Sequence, residues 1–172
     1  MQFSLLTPKA LSRRWRSFCC TLLLVLMAMP AISSCTNDEQ AVYFSYQDLE
    51  NGIWDRQYRH AFALDTIRES GRYRVEVCMR TMQVVQFQHV FVTVQQQVAG
   101  SRANRTDTIR LTLTDQLGNM AGRGLSLYNY SAELPRSITL RKGQSATLIL
   151  NHIMRRQQLE GIKQIGLRVY KE

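Results

Sequence analysis

No stretch of this 172-residue chain reaches the roughly 20 consecutive apolar residues that a membrane-spanning helix needs. Nor is it poor in apolar residues: 45% are hydrophobic and 20% charged, which excludes a disordered chain. No acidic residue precedes Asp38, whereas Lys9, Arg13, Arg14 and Arg16 do. Setting residues 1–34 aside turns the formal +9 into 18 cations against 13 anions, or +5. The pI near 9.8 therefore loses its weight as a nucleic-acid signal, and no nucleic-acid partner is expected. Catalytic signatures are missing as well. There is no G-x-S-x-G elbow, P-loop, dinucleotide glycine fingerprint or H-E-x-x-H, and His60, His89 and His152 lack metal-ligand spacing. No catalytic residue, no metal site and no cofactor is expected.

What the front of the chain does have is order. Arg13-Arg14-Trp15-Arg16 precedes a 12-residue apolar run, Phe18 to Met29, broken only by Thr21, and small residues follow it. A basic region, a short apolar core and a small-residue cleavage point make up a secretory signal peptide. Ile32-Ser33-Ser34-Cys35 resembles a bacterial lipobox, which implies a diacylglycerol on the Cys35 thiol and cleavage before it. Residues 1–34 are then a lipoprotein signal peptide, and residues 35–40 a lipidated tether of polar, acidic composition. The expected partner on this side is a membrane, reached through the lipid. Acyl chains contribute about 0.8 kcal/mol per buried methylene, so two or three hold a protein on a bilayer permanently. Cys19 and Cys20 leave with the signal and Cys35 carries lipid. Cys78 alone remains, no intramolecular disulfide can form, and no thiol-enzyme signature surrounds it. By alternation Cys78 falls between Glu76 and Arg80, on the polar face of its strand.

Residues 41–172 are long enough for one domain with its own core. Their period is two. Tyr73, Val75, Val77 and Met79 alternate with Arg72, Arg74, Glu76 and Arg80, and Ile109, Leu111 and Leu113 alternate with Thr108, Arg110, Thr112 and Thr114. Phe87 to Val98 reads as a long strand covered on both faces at one end. Shorter strands are expected at Val42–Tyr46, Tyr58–Asp65, Ser137–Arg141, Ala146–His152 and Ile165–Lys171, separated by glycine-containing turns. Only Ile153–Glu160 resembles a helical turn. About eight short strands argue for an all-β fold, an antiparallel β-sandwich or jelly roll.

Few side chains stand out as sites. Trp54, between the first two strands, can stack on a sugar ring or fill a partner's pocket; it can equally cap the end of the sandwich. Arg155 and Arg156 beside His152, with Lys163 close by, can form a patch for anionic headgroups or an acidic partner, or a solvated face. Asp115-Gln116-Leu117-Gly118-Asn119 and Gly122-Arg123-Gly124 bring carboxylate, amide and glycine together, but lack the further carboxylates that calcium requires. Tight turns explain the glycines better.

Taken in order, the lipobox, Trp54-Asp55, Asp107-Thr108-Ile109 opening a strand, the glycine loop 118–124, His152-x-Met154-Arg155, Leu159-x-Gly161-Ile162 and Ile165-Gly166-Leu167 resemble the gliding-motility lipoprotein GldH family. The resemblance covers nearly all of residues 35–172. It implies an outer-membrane lipoprotein of Bacteroidetes, envelope partners in the gliding and type IX secretion machinery, and no catalytic residues. Two further expectations come with that lineage. Asp38-Glu39 resembles the acidic signal that directs lipoproteins to the cell surface. Asp65-Thr66-Ile67 and Asp107-Thr108-Ile109 resemble the site of O-glycan attachment, making Thr66 and Thr108 candidate acceptors at expected strand ends; both are also ordinary strand-flanking threonines. Two functions follow: a non-enzymatic assembly or scaffold lipoprotein, or a surface glycan-binding module using Trp54 with Tyr128 and Tyr130.

Overall fold

In a computed structural model of the protein, residues 41–83, 85–101 and 104–172 are described. The expected signal peptide, Cys35 and the expected tether lie outside them. The described chain is built of antiparallel strands: β1 (Ala41–Asp48), β2 (Ile53–Asp55), β3 (His60–Leu64), β4 (Gly71–Thr81), β5 (His89–Val98), β6 (Arg105–Thr112), β7 (Tyr128–Glu133), β8 (Ile138–Leu140), β9 (Ala146–His152), β10 (Gln158–Glu160) and β11 (Ile162–Lys171).

One sheet has the order β1-β11-β4-β7, with β8 also pairing β4 beyond β7; the other runs β3-β9-β5-β6. Counting β7 and β8 as one interrupted strand leaves eight positions. Consecutive positions then change sheet at almost every connection, which is the jelly-roll order. The expected antiparallel sandwich is the observed fold. The additional strands are short pieces: β2 and β10 form a separate two-stranded ribbon. Ile153–Glu160, expected as a helical turn, is a bend running into β10. Leu159 there pairs with Trp54, and both side chains are buried, so a short ladder and a covered apolar face prevail over helical spacing.

The alternation read from the sequence fills the space between the sheets. Val75, Val77 and Met79 of β4 and Ile165, Leu167 and Val169 of β11 face Val90, Val92 and Val94 of β5 and Leu148 and Leu150 of β9, all fully buried or nearly so. Burying each such side chain contributes about 1.5–3 kcal/mol. Gly166 of β11 is required by a neighbour on the outer face: a Cβ there would lie 2.6 Å from both the Ser45 carbonyl oxygen and the Tyr46 ring.

One inward position is polar. Asp107 stands two and four residues before buried Ile109 and Leu111, so β6 aims its carboxylate into the sandwich, where it is 3% exposed. It accepts hydrogen bonds from Gln96 Nε2 at 2.7 Å, Arg105 Nε at 2.9 Å and Arg136 Nη2 at 2.6 Å. Arg105 also donates to the Arg136 and Ser137 carbonyls, so the cluster ties β5 and β6 to the β7–β8 connection. Removing one member of a buried pair is costly because its partners stay desolvated, although the two arginines here retain solvent contact. Asp107→Ala is expected to lower unfolding free energy by about 2–3 kcal/mol. Urea unfolding checks this, with an unchanged midpoint showing that the cluster is dispensable.

Candidate functional site

Apart from the β7–β8 connection, which interrupts one strand position, the strand directions sort the loops to one of two ends. At one end lie residue 41, the β3–β4 loop, the β5–β6 connection, the β8–β9 turn and Glu172. At the other lie the β1–β3 segment with the β2–β10 ribbon, the β4–β5 and β6–β7 loops, and residues 153–161. Backbone bonds hold each set together. Ile67 N–H donates to the Gln144 carbonyl at 2.8 Å at the first end; Arg56 N–H donates to the Gln157 carbonyl and Met82 N–H to the Gly161 carbonyl, both at 2.8 Å, at the second.

Trp54, His152, Arg155 and Arg156 are all at the second end, but they do not form one surface. Trp54 and His152 are wholly buried, at 0% exposure. Their rings meet edge to face with centroids 5.3 Å apart, and His152 Nε2 donates to the Trp54 carbonyl at 3.2 Å. Trp54 thus plugs the end of the sandwich and offers no face to a sugar; His152 follows Leu148 and Leu150 on the inward side of β9. Burial pushes the His152 ring below the ordinary histidine range, and does the same for His60, whose ring centroid lies 6.2 Å from Trp54. Arg155 and Arg156 are exposed, and Arg156 donates to Gln86 at 2.9 Å with its guanidinium 5.8 Å from the Phe87 ring. Tyr130, part of the expected aromatic platform, is buried against Met120, and Tyr128 packs partly against the core.

The same end displays apolar side chains on built turns. The Asp115 carboxylate accepts the Leu117 and Asn119 backbone N–H groups, each at 2.8 Å, and the Asn119 side-chain amide at 2.9 Å. These bonds, the Asn119 side chain foremost, hold the Asp115 carboxyl below its usual range. Its oxygens therefore cap a turn. Leu117 at the tip is 87% exposed, and Leu125 in the neighbouring hairpin closed by Arg123 and Asn129 is 93% exposed. Among the described residues no three His, Cys, Asp or Glu side chains gather as metal ligands would.

Thr66 follows β3 in an exposed loop, where it lines a groove of about 590 Å³ with Val42, Tyr43, Arg68 and Tyr73. Thr108 is exposed but sits inside β6, paired with Thr93, rather than at a strand end. Its preceding Asp107 is engaged in the buried cluster described above. Cys78 corrects a different expectation: it occupies the outer face of β4, yet is 1% exposed. Tyr46, Gly166 and Cys78 stand in one row across three strands, and Tyr46 reaches over the glycine to the thiol. Burial, the largest cause, pushes the Cys78 thiol up to about 11 and the Tyr46 hydroxyl up to about 12.

The residues missed by sequence reasoning are Asp107, Gln96 and Tyr46. For Asp107 a signal existed: it shares the parity of Ile109 and Leu111. Tyr46 had none, since its cover over Cys78 depends on the register of two other strands.

The model of the family described as GldH lipoprotein matches residues 41–169. The chain belongs to the GldH lipoprotein family. The match spans the jelly roll from the first residue of β1 to near the end of β11. No curated protein matches the chain. Among solved structures it is similar to that of Eiger TNF from S. frugiperda, with 11% identity and a TM-score of 0.32 over 60% of this chain and 61% of that one. The chain thus spans less than two thirds of that structure. GldH lipoproteins are not a known family of enzymes.

Two measurements check this geometry. Cys78 in the folded protein is expected to resist maleimide at neutral pH, and Tyr46→Ala to speed its modification at least tenfold, since a thiol held near 11 and covered has little accessible thiolate. Fast labelling of the unaltered protein would contradict the cover. His152 and His60 are held neutral by burial, so the unfolded chain binds more protons below about pH 6.5. Stability is therefore full above that pH and falls as pH drops through it. Melting temperature measured from pH 7.5 to 5 should show this fall, reduced by about half in His152→Gln; equal slopes in both proteins would reassign the effect.

Proposed function

We propose that this GldH-family chain is a non-enzymatic outer-membrane lipoprotein of the gliding and type IX secretion apparatus, anchored by lipid on Cys35 and acting as an assembly or scaffold component. The observation that carries the reading is the family match over residues 41–169. It is supported by the absence of catalytic signatures in the sequence and by the fold, whose β6–β7 loop is internally bonded and suited to presenting side chains. The competing reading, a glycan-binding module, loses the rings on which it was built, because Trp54 and Tyr130 are core residues. The end bearing Leu117, Leu125, Arg155 and Arg156 is the natural face for an envelope protein: two leucines there stand almost wholly in solvent on well-braced turns.

Photo-cross-linking in intact cells tests the proposal. A photoreactive residue replacing Leu117 or Leu125 is expected to capture secretion or motility envelope proteins. The same residue in place of Ala63, an exposed position on β3, should not. Capture of no envelope protein from either loop would sink the scaffold role. Cys35→Ala should independently move the protein out of the membrane fraction.

A further inference from the structure

The end of the sandwich at which β1 begins carries exposed cations that no carboxylate among the described residues holds in a salt bridge. The β3–β4 loop and the β8–β9 turn are bound into one cluster: Ile67 N–H donates to the Gln144 carbonyl at 2.8 Å, Gly143 N–H to the Ile67 carbonyl at 2.9 Å, and Lys142 N–H to Ser70 Oγ at 2.9 Å. Arg68, Arg141 and Lys142 are exposed in this cluster, and none of them forms a salt bridge among the described residues. Their cationic neighbours differ. Lys171 pairs with Glu69, Arg72 with Glu172 at 3.1 Å, and Arg136 with Asp107. Within these two loops and Lys171, four cations stand against Asp65 and Glu69, so the folded tip keeps an excess of positive charge, while Asp38 and Glu39 precede it in the sequence.

Chain length fixes what this tip can meet. Six positions separate Cys35 from Ala41, a reach of at most about 20 Å. A bilayer holding acyl chains on Cys35 therefore lies within that distance of this end. Arg155 and Arg156 are at the opposite end, one strand of 8 residues away. That is about 26 Å, several screening lengths at physiological salt. We propose that the loop cluster of Arg68, Arg141 and Lys142 rests on the phosphates of anionic lipid headgroups in the membrane that anchors the protein. The inference rests on lipidation of Cys35. It fixes the orientation of the sandwich, with residue 41 and Glu172 toward the bilayer and its Leu117–Leu125 loops away.

The test uses the full, natively lipidated protein in vesicles of phosphatidylethanolamine with or without phosphatidylglycerol. Flotation reports the anchor, and amide hydrogen exchange reports the surface contact. Residues 65–70 and 141–145 are expected to gain about tenfold protection or more when phosphatidylglycerol is present, while residues 115–119 do not change. The triple variant Arg68→Gln, Arg141→Gln, Lys142→Gln should float as before and lose that gain, as should the unaltered protein in high salt. Protection that is indifferent to phosphatidylglycerol or persists in the triple variant would overturn the headgroup contact while leaving the anchor intact. Equal protection by inorganic phosphate without vesicles would also overturn it, reassigning the cluster to a soluble anion. Failure of the unaltered protein to float with neutral vesicles would instead remove the lipid anchor, and this proposal with it.

Discussion

A jelly roll has two seams where the edges of its sheets approach each other, and each must be closed by something other than a ladder of backbone bonds. In this protein one seam depends on a single carboxylate. Asp107 is aimed inward from the edge strand β6 and gathers Gln96, Arg105 and Arg136, while Arg105 reaches on to two carbonyls of the β7–β8 connection. At the other seam Gln47 donates to the Ala61 carbonyl at 2.7 Å and its oxygen lies 3.1 Å from His60 Nδ1. A neutral bond contributes about 1 kcal/mol and one to a charged group about 1.5–3. The Asp107 seam is therefore the stronger, and the loops at both ends keep their places only while the two sheets stay in register across it.

That register gives the molecule its polarity. Because the chain changes sheet as it passes from end to end, the connections separate cleanly, and residue 41 and Glu172 come to lie at the same end. The opposite end carries neither of them. It is closed by the Trp54–His152 contact beneath the β2–β10 ribbon, which makes a rigid base for the 115–119 turn and the 123–129 hairpin. Buried plug and exposed tips are parts of one arrangement: loops can hold leucines in solvent only if the layer below them does not need those leucines for its core.

Alternation made most of the sheets legible from sequence, and its failures have physical causes. β9 was expected at Ala146–His152 and lies there, because a clean apolar-polar period has only one way to face a core. β7 escaped notice because Asn129, Ser131 and Glu133 flank Tyr128, Tyr130 and Ala132 just after a glycine loop, which reads as polar surface. β2 and β10 have three residues each, too few to show a period. The candidate site was less legible than the fold. Trp54 looked available because composition cannot say which loop a tryptophan lies under, and Cys78 looked exposed because its cover comes from Tyr46, 32 positions away in sequence, across a glycine of a third strand.

Three arginines, Arg74, Arg80 and Arg168, are absorbed by the outer face of the β1-β11-β4-β7 sheet. There Arg80 stacks 4.1 Å from the Tyr46 ring centroid, Arg168 lies 4.5 Å from that of Phe44 and 3.4 Å from Glu76, and Arg74 pairs with Glu133 at 3.0 Å. Guanidinium groups suit this role because they are planar and can stack and donate at once. The side chains cover one another across the sheet, so this face is self-satisfied and little of its charge is left for a ligand. The two ends carry further exposed cations, Arg68, Arg141 and Lys142 at one and Arg155 and Arg156 at the other. Since the ends are separated by several screening lengths, a charge bound at one end is not felt electrostatically at the other. A change at one end therefore reaches the other through the packed strands between them, as position and orientation.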